Sequence, residues 1–351
     1  MNQVSHQSII NAQKLFQVQR NKYRLWIIAL LLLLAMSAFL SIQFGAFHIS
    51  WIQVFDTNSL MQKVIVELRL PRLLATMVIG AALALSGVTM QGLFRNPLAD
   101  PALLGMTSGA SLFAILFLLL ASSITQTVFL VTWGLGLSAF AGSLVVTFLT
   151  YLLSVTKGQS NLGLLVLAGV AINALCGALI GVMIYLSDDS ILRSITFWSM
   201  GSLANIDWGQ VMFLVPCVIM SVFLLSNTAK YLNAMIAGES FARMLGVNIQ
   251  KQKFKSIIAI ALLVGSSTAV AGPIAFVGLV VPHIVRFLIG VEHKHLMLLA
   301  SIFGALLLTV ADVLSRTVLA PAELPIGLMT ALIGAPYFIY LLFSQKVQRG
   351  S

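Results

Sequence analysis

The sequence predicts an all-α integral membrane protein with about ten transmembrane helices. Apolar residues make up 59% of its 351 residues and charged residues only 9%, and the mean hydropathy is +1.01. A water-soluble domain does not have this composition. A helix that spans a bilayer needs about 20 consecutive, mostly apolar residues, and the chain contains several uncharged stretches of that length.

The number of spans follows from the windows that contain no Asp, Glu, Lys or Arg. The window 101–156 is long enough for two spans, divided at the polar segment 122–127. The window 256–285 contains Gly272-Pro273, which predicts one span ending there and a shorter one running to about Gly290. A further apolar run, 296–311, ends at Asp312. The other windows are 25–55, 73–94, 158–187, 208–229 and 324–345.

The division of the chain follows from these spans. We expect a cytoplasmic N-terminal tail at 1–24, a ten-span domain at 25–345 and a cytoplasmic C-terminal tail at 346–351. The first apolar run has no small-residue cleavage pattern behind it, so it predicts a retained span rather than a removed signal peptide. The second span carries small residues from Gly80 to Gly87, which predicts close packing against another helix.

The distribution of basic residues predicts the orientation. Cytoplasmic loops of membrane proteins are enriched in Lys and Arg. With both termini in the cytoplasm, fifteen of the twenty basic residues fall inside. The five that fall outside are Lys63, Arg69, Arg72, Arg193 and Arg316. Two of these belong to the sequence ELRLPR at 67–72, so a pair of arginines is predicted to be exposed outside, against the general bias.

The positions of the charged residues and the motifs in the sequence disfavour several function classes. Proton- and sodium-coupled carriers usually have an ionisable residue near the middle of a span, and this sequence predicts none. It also lacks a GxxxxGK[ST] phosphate-binding loop, so the energy source is expected on another subunit. We predict no catalytic residue, and the net charge of +10 reflects the inner loops rather than nucleic acid binding.

No metal site is predicted either. Cys176 and Cys217 lie inside apolar runs and are interpreted as small hydrophobic residues. His283, His293 and His295 do not have the spacing of a ligand set, and we expect them, with Arg286, to pair with backbone carbonyls and lipid headgroups at helix ends.

The basic segment 229–255 is amphipathic. Its apolar residues recur at helical spacing, with breaks at Gly238 and Gly246. Two short helices joined at Gly238 would present an apolar ridge at the cytoplasmic surface. Either a protein partner or the lipid headgroups could cover that ridge.

Five stretches carry a resemblance to a known family. From about residue 25 to 345 the chain resembles the iron-siderophore and cobalamin permeases of ABC importers, the membrane subunits of type II importers. The stretches are RLPRLLATMVIGAALALSGVTMQGLFRNPLADPALLG at 69–105, LAGVAINAL at 167–175, AGESFARMLGV at 237–247, GPIAFVGLVVPHIVR at 272–286 and ADVLSRTVLAPAELPIGLMTALIGAPYFIYLL at 311–342.

The resemblance implies a permease that works in an assembly. Its partners would be a second permease subunit, identical or paralogous, two cytoplasmic ATPases that bind ATP, and a periplasmic or lipid-anchored substrate-binding protein. The chain itself would bind no cofactor and would lie in the bacterial inner membrane. The implied cargo is a ferric siderophore or related iron(III) chelate, with cobalamin and haem as alternatives. A secondary transporter is the alternative from another class, and it predicts an internal inverted repeat that we do not find.

The resemblance also assigns roles to residues. Coupling to the ATPase falls on the helices at about 230–250, at Gly238, Glu239, Ala242, Arg243, Leu245 and Gly246. Docking of the binding protein falls on Arg69, Arg72 and Arg316, expected as exposed charges that steer association. The alternative for these arginines is to contact lipid phosphates or to pair with Glu67 and Glu323.

The path for the cargo is implied by the fifth and tenth spans, at about 162–186 and 325–343. Candidate lining residues there are Asn173, Met183, Met329 and Thr330, although packing is the alternative role for each. The resemblance places the inner constriction near Ser160–Gly163.

Overall fold

The computed structural model describes residues 2–44, 60–124 and 128–349. Part of the first apolar window, 45–55, and part of the predicted divider, 125–127, lie outside the described residues. The helices are α1 (Asn2–Gln43), α2 (Leu60–Lys63), α3 (Leu70–Phe94), α4 (Met106–Ile124), α5 (Val128–Ser154), α6 (Leu162–Tyr185), α7 (Asp189–Ser199), α8 (Trp208–Leu224), α9 (Thr228–Ile236), α10 (Glu239–Met244), α11 (Ile249–Ala271), α12 (Val277–Ile289), α13 (His293–Thr317) and α14 (Ile326–Arg349).

Short elements complete the described chain. A π-helical segment, Val64–Arg69, joins α2 to α3, and a 3-10 turn, Pro101–Leu104, precedes α4. The strands β1 (Val155–Thr156) and β2 (Gln159–Ser160) form an antiparallel hairpin between α5 and α6. Helix α1 already begins at Asn2, so the predicted N-terminal tail continues the first span as one helix.

The prediction of an all-α membrane fold is confirmed. Among the described residues, six helical stretches are long and apolar enough to cross a membrane, and α8 with α9, bent by 49°, forms a further candidate. Shorter apolar helices at Met106–Ala121, Val277–Ile289 and Ile326–Tyr340 correspond to the three remaining predicted spans. The predicted break at Gly272-Pro273 is also present, since α11 ends at Ala271.

Helices α3, α11 and α13 form the centre of the bundle. Most residues of these spans are buried, whereas few residues are buried in α6 or in residues 21–43 of α1. Helices α3 and α13 are antiparallel, and Gly80 lies against the backbone of Gly304. A Cβ atom at either glycine would collide with the other's carbonyl oxygen, so the close packing predicted for the second span depends on these residues.

Polar side chains inside the central helices bond to their own backbone. The hydroxyl of Thr76 donates to the carbonyl of Arg72 at 2.6 Å, and that of Thr89 donates to Leu85 at 2.8 Å. Such bonds satisfy buried hydroxyl groups where no water is present. The ion pairs of the central helices lie near the helix ends, and the candidate sites are found there.

Candidate functional site

A group of charges, three of them buried, links the ends of α3 and α13 on the side that the basic residues predict to be external. We call Arg72, Asp312, Arg316 and Glu323 the outer cluster. Arg72 donates from Nε and Nη2 to Asp312 Oδ1 at 3.0 and 2.9 Å. It also donates from Nη1 and Nη2 to the two carboxylate oxygens of Glu323, at 3.0 and 2.9 Å. One guanidinium group therefore holds two carboxylates, the second of them in a bidentate arrangement.

The second arginine of the outer cluster shares the same aspartate. Arg316 Nη2 lies 2.9 Å from Asp312 Oδ2, one helical turn away on α13. The same nitrogen donates to Ser41 Oγ at 2.8 Å, which ties α13 to α1. The Asp312 side chain is only 1% exposed. Because an isolated buried charge is very costly, each of these groups depends on its partners.

Arg69 lies beside this cluster but contacts a helix end. Its Nη1 donates to the carbonyl oxygens of Ile42 and Gln43, the latter at 3.1 Å, at the C-terminus of α1. A cation at this position satisfies carbonyl groups that have no partner within the helix. Arg69 therefore connects α1 to the helical turn that precedes α3.

The expectation that the three docking arginines are exposed is wrong. Arg69, Arg72 and Arg316 are 8%, 9% and 5% exposed. The alternative of pairing with Glu323 is correct for Arg72, whereas Glu67 is exposed on the π-helical turn. Sequence reasoning missed Asp312 as the shared partner. The signal was available, because Asp312 and Arg316 are spaced i,i+4 on one helix face. A docking role for the arginines stays a prediction.

A second polar group lies at the opposite end of the bundle. We call Ser160, Glu239, Arg243, Gln250 and Lys253 the inner cluster. Gln250 Oε1 accepts hydrogen bonds from the backbone N–H and the hydroxyl of Ser160, at 3.0 and 2.9 Å. Lys253 Nζ lies 3.6 Å from Glu239 Oε1 and is almost fully buried, and Arg243 donates to the same oxygen at 3.3 Å.

Through these contacts the start of α11 joins two segments that are distant in sequence. Gln250 holds the β1–β2 hairpin, and Lys253, one turn later, holds the first residue of α10. Asn161, next to the hairpin, caps α6 by accepting from the N–H groups of Gly163 and Leu164. An open cavity of about 510 Å³ lies between the hairpin, α10 and α11. The predicted constriction at 160–163 thus lies next to the predicted coupling helices.

The predicted coupling residues lie on α10 and in the turns on either side of it. The two short helices joined at Gly238 are confirmed. Gly238 and Gly246 have φ angles of 115° and 77°, which favour glycine. Ala242 is fully buried, and Leu245 is exposed together with Ile236, Phe241 and Met244. Leu232 and Met235, which belong to the same amphipathic segment, pack into the core instead. The role of the exposed ridge in coupling stays a prediction.

The predicted path residues are mostly engaged inside the chain. Asn173 accepts from the Ser108 hydroxyl at 2.5 Å and donates to the Ala102 carbonyl at 3.1 Å, so it ties α6 to α4. Met329 and Thr330 are buried, and Met183 is half-buried. The geometry of these residues fits the alternative packing role, and their contact with cargo stays a prediction.

A second cavity, which the sequence did not reveal, lies where four helix interruptions meet. Its volume is about 470 Å³, and its lining includes Leu83, Leu98, Asp100, Met200, Phe276 and Leu328. The interrupted segments bond to one another: Ile326 N–H donates to Gly201 at 3.1 Å, and Ser202 N–H donates to Ala271 at 2.8 Å. Irregular backbone at membrane depth is stable only when it is satisfied in this way or lines a cavity.

Among the described residues that line this cavity, Asp100 is the only carboxylate, and it already has a hydrogen-bond donor. Asp100 lies in the loop before α4 and accepts from the Ala102 N–H at 2.8 Å. The other lining side chains are largely apolar or small. The cavity therefore offers an apolar surface with hydrogen-bonding groups at the helix ends.

The histidines near the start of α13 pair with side chains rather than with carbonyls or headgroups. His295 lies 2.9 Å from Glu292, and His293 Nδ1 lies 2.8 Å from Asn233 Oδ1. Partial burial acts to raise the pKa of Glu292. Hydrogen bonds from the His295 N–H, the Asn233 amide and the Lys294 N–H outweigh burial and lower the pKa below its ordinary value. These contacts fix the junction of α9 and α13.

We predict that Arg72 and Asp312 are strongly coupled in stability. Arg72→Gln leaves Asp312 with Arg316 alone, and Asp312→Asn leaves two buried arginines with Glu323 alone, so each variant should destabilise the protein by about 3 to 5 kcal/mol. The double variant should lose clearly less than the sum of the two, because both charges are removed together. Unfolding in detergent measures the cycle, and additive losses would contradict the pairing.

We also predict that Gln250 protects the hairpin. Gln250→Ala removes the acceptor of the Ser160 N–H and should speed hydrogen exchange at that amide by about tenfold. The matched control is Gln252→Ala, on another face of α11, which should leave the exchange rate unchanged. Equal exchange rates in the two variants would show that Gln250 does not hold the hairpin.

Comparison with known proteins agrees with this architecture. The chain is 44% identical over 328 residues to the hemin transport system permease protein HmuU of Yersinia pestis, covering 93% of this chain and 97% of the relative. It is 39% identical over 327 residues to the vitamin B12 import system permease protein BtuC of Salmonella paratyphi A, with the same coverage. A solved ABC transporter described as metal-chelate type, in an inward-facing conformation, superposes with a TM-score of 0.79 at 34% identity. That superposition covers 90% of this chain and 98% of the solved one.

A family model matches nearly the whole chain. The matched residues are 31–344, which include all the spans that form the two clusters and the cavity. The resemblance identified from five stretches of sequence is therefore confirmed. The chain belongs to the FecCD transport family and is a membrane permease subunit of an ABC importer.

Proposed function

We propose that the chain carries a ferric siderophore or a related iron(III) chelate across the bacterial inner membrane. The observation that carries this proposal is the near full-length similarity to permeases named for hemin and vitamin B12. Both compounds are bulky organic chelates that saturate most of the coordination sites of a metal. The shared cargo class is thus a metal already enclosed by an organic ligand.

The cavity at the helix interruptions supports this class of cargo. Its lining is largely apolar, and the carboxylate of Asp100 is engaged by the Ala102 N–H. A bare ferric ion prefers a cage of hard oxygen ligands. A chelate needs only a roomy, weakly interacting surface, because its own ligands satisfy the metal. The lining chemistry therefore favours the chelate over the free ion.

Haem is a second candidate within the same class. The 44% identity to the hemin permease extends over nearly the whole chain, compared with 39% for the vitamin B12 permease. Haem is itself an iron chelate, so it fits the same apolar lining. Cobalamin remains the further alternative.

The proposed assembly contains partners on three sides. Helices α6 and α14 leave large apolar side chains exposed, including Leu167, Leu175, Leu332 and Tyr340, and we assign these faces to a second permease subunit and to membrane lipid. In the dimer, the ridge of α9 and α10 on each permease subunit would dock one ATPase. ATP hydrolysis by the two ATPases would switch the dimer between outward- and inward-facing states. A periplasmic or lipid-anchored binding protein would dock near the outer cluster.

The cargo is testable by uptake. We expect the permease, expressed with its ATPase and binding protein in bacteria that lack their own systems, to restore ATP-dependent uptake of a ferric hydroxamate siderophore. Hemin and cyanocobalamin are offered in parallel, and radioactive metal in washed cells is counted. Uptake of hemin alone would select the second candidate, and uptake of none of the three would contradict the chelate class.

A variant with disrupted coupling to the ATPase is the control in the same experiment. Gly246→Val forces a branched side chain into a backbone with φ of 77°, next to the exposed ridge. Uptake should fall at least about tenfold while the permease still inserts in the membrane. Undiminished uptake in this variant, with ATP depleted, would favour a secondary transporter.

A further inference from the structure

The two carboxylates bound to Arg72 differ in how easily they can leave. Asp312 is 1% exposed and is shared with Arg316, so its release would leave buried Arg316 without a carboxylate partner. The Glu323 side chain is 35% exposed and lies in the connection between α13 and α14. The residues before it, from Val318 to Ala322, are exposed as well. Water can therefore solvate Glu323 if it leaves Arg72.

The backbone around Glu323 also permits a side-chain exchange without unfolding. The next residue, Leu324, is fixed by its N–H group, which donates to the Ser315 carbonyl at 2.9 Å. Ile326 is fixed in turn to Gly201 at 3.1 Å. The connection therefore stays anchored while the Glu323 side chain turns outward.

Arg72 would keep its hydrogen bonds during such an exchange. Its Nη1 and Nη2 groups form a fork that binds one carboxylate in a bidentate manner. Any other carboxylate that reaches this position satisfies the same donors. Asp312 continues to neutralise the guanidinium group from the buried side. No buried group is left unpaired in the product.

We propose that Glu323 is an exchangeable internal partner of Arg72, and that a carboxylate on an acidic surface of the docking protein replaces it. This inference rests on the proposed function, because it requires a binding protein that docks at the outer cluster. It explains how an arginine that is 9% exposed can still take part in docking. Glu323 competes with the docking protein and so lowers its affinity for the permease.

The test compares two carboxylates at the same end of the bundle. Glu323→Gln removes the competing charge but leaves a neutral acceptor for Arg72. Glu67→Gln removes the same charge from the exposed π-helical turn, where the structure shows no ion pair with Arg72. Affinity for the purified substrate-binding protein of the same importer is measured by surface plasmon resonance on the detergent-solubilised complex.

We expect Glu323→Gln to tighten docking about fivefold, through both faster association and slower dissociation. Glu67→Gln should change the docking affinity less than about twofold, because this variant alters only the long-range electrostatic potential at the surface. Glu323→Ala, which removes every acceptor, should also tighten docking. Thermal unfolding is recorded for each variant, so that a folding defect is recognised.

Three results would overturn the proposal. Unchanged or weaker docking by both Glu323 variants, with normal unfolding, would show that Arg72 does not exchange partners. Equal tightening by Glu67→Gln would show that only total charge matters. If the binding protein fails to bind even the unaltered permease, the proposed assembly itself fails, which distinguishes that outcome from the first two.

Discussion

The bond between Arg72 and Asp312 is the interaction on which the outer half of the structure depends. It joins α3 to α13, the antiparallel pair whose backbones touch at Gly80 and Gly304. Buried charges are tolerated only when they are paired and hydrogen-bonded. The pair therefore fixes the register of the two helices at one end, and the glycines fix their separation further along. Arg316 and Ser41 extend the same constraint to α1.

Charged side chains at the inner end of the bundle are also paired with one another, although some of them are more exposed than those of the outer cluster. Glu239 is shared by Arg243 and Lys253, and Gln250 binds Ser160. Side chains on one face of α11 thus connect the predicted ATPase-coupling helices to the hairpin that precedes α6. A displacement of α10 would be transmitted to that hairpin through α11, because Lys253 contacts Glu239 and Gln250 contacts Ser160. The central helices between the two clusters contain mainly apolar and backbone-bonded groups, so the charged contacts are concentrated at the ends.

Much of the fold could be predicted from the sequence, because span length, proline and glycine positions and apolar periodicity are local properties. The break at Gly272-Pro273 and the turn at Gly238 were found in this way. Side-chain partners were harder to predict. Arg72 and Glu323 are far apart in the chain, and charge counting placed both outside without showing that they meet. The cavity at the helix interruptions was not predicted either, since it forms only where segments near 100, 200, 273 and 327 converge.

In the proposed exchange, Arg72 keeps Asp312 and releases Glu323 when a binding protein docks. The most direct measurement is an electron cryomicroscopy structure of the importer with its binding protein attached. We expect Arg72 to remain within about 3 Å of Asp312, while Glu323 lies beyond hydrogen-bonding distance and an acidic side chain of the docked protein occupies its place. An intact bidentate contact between Arg72 and Glu323 in the docked complex would contradict it.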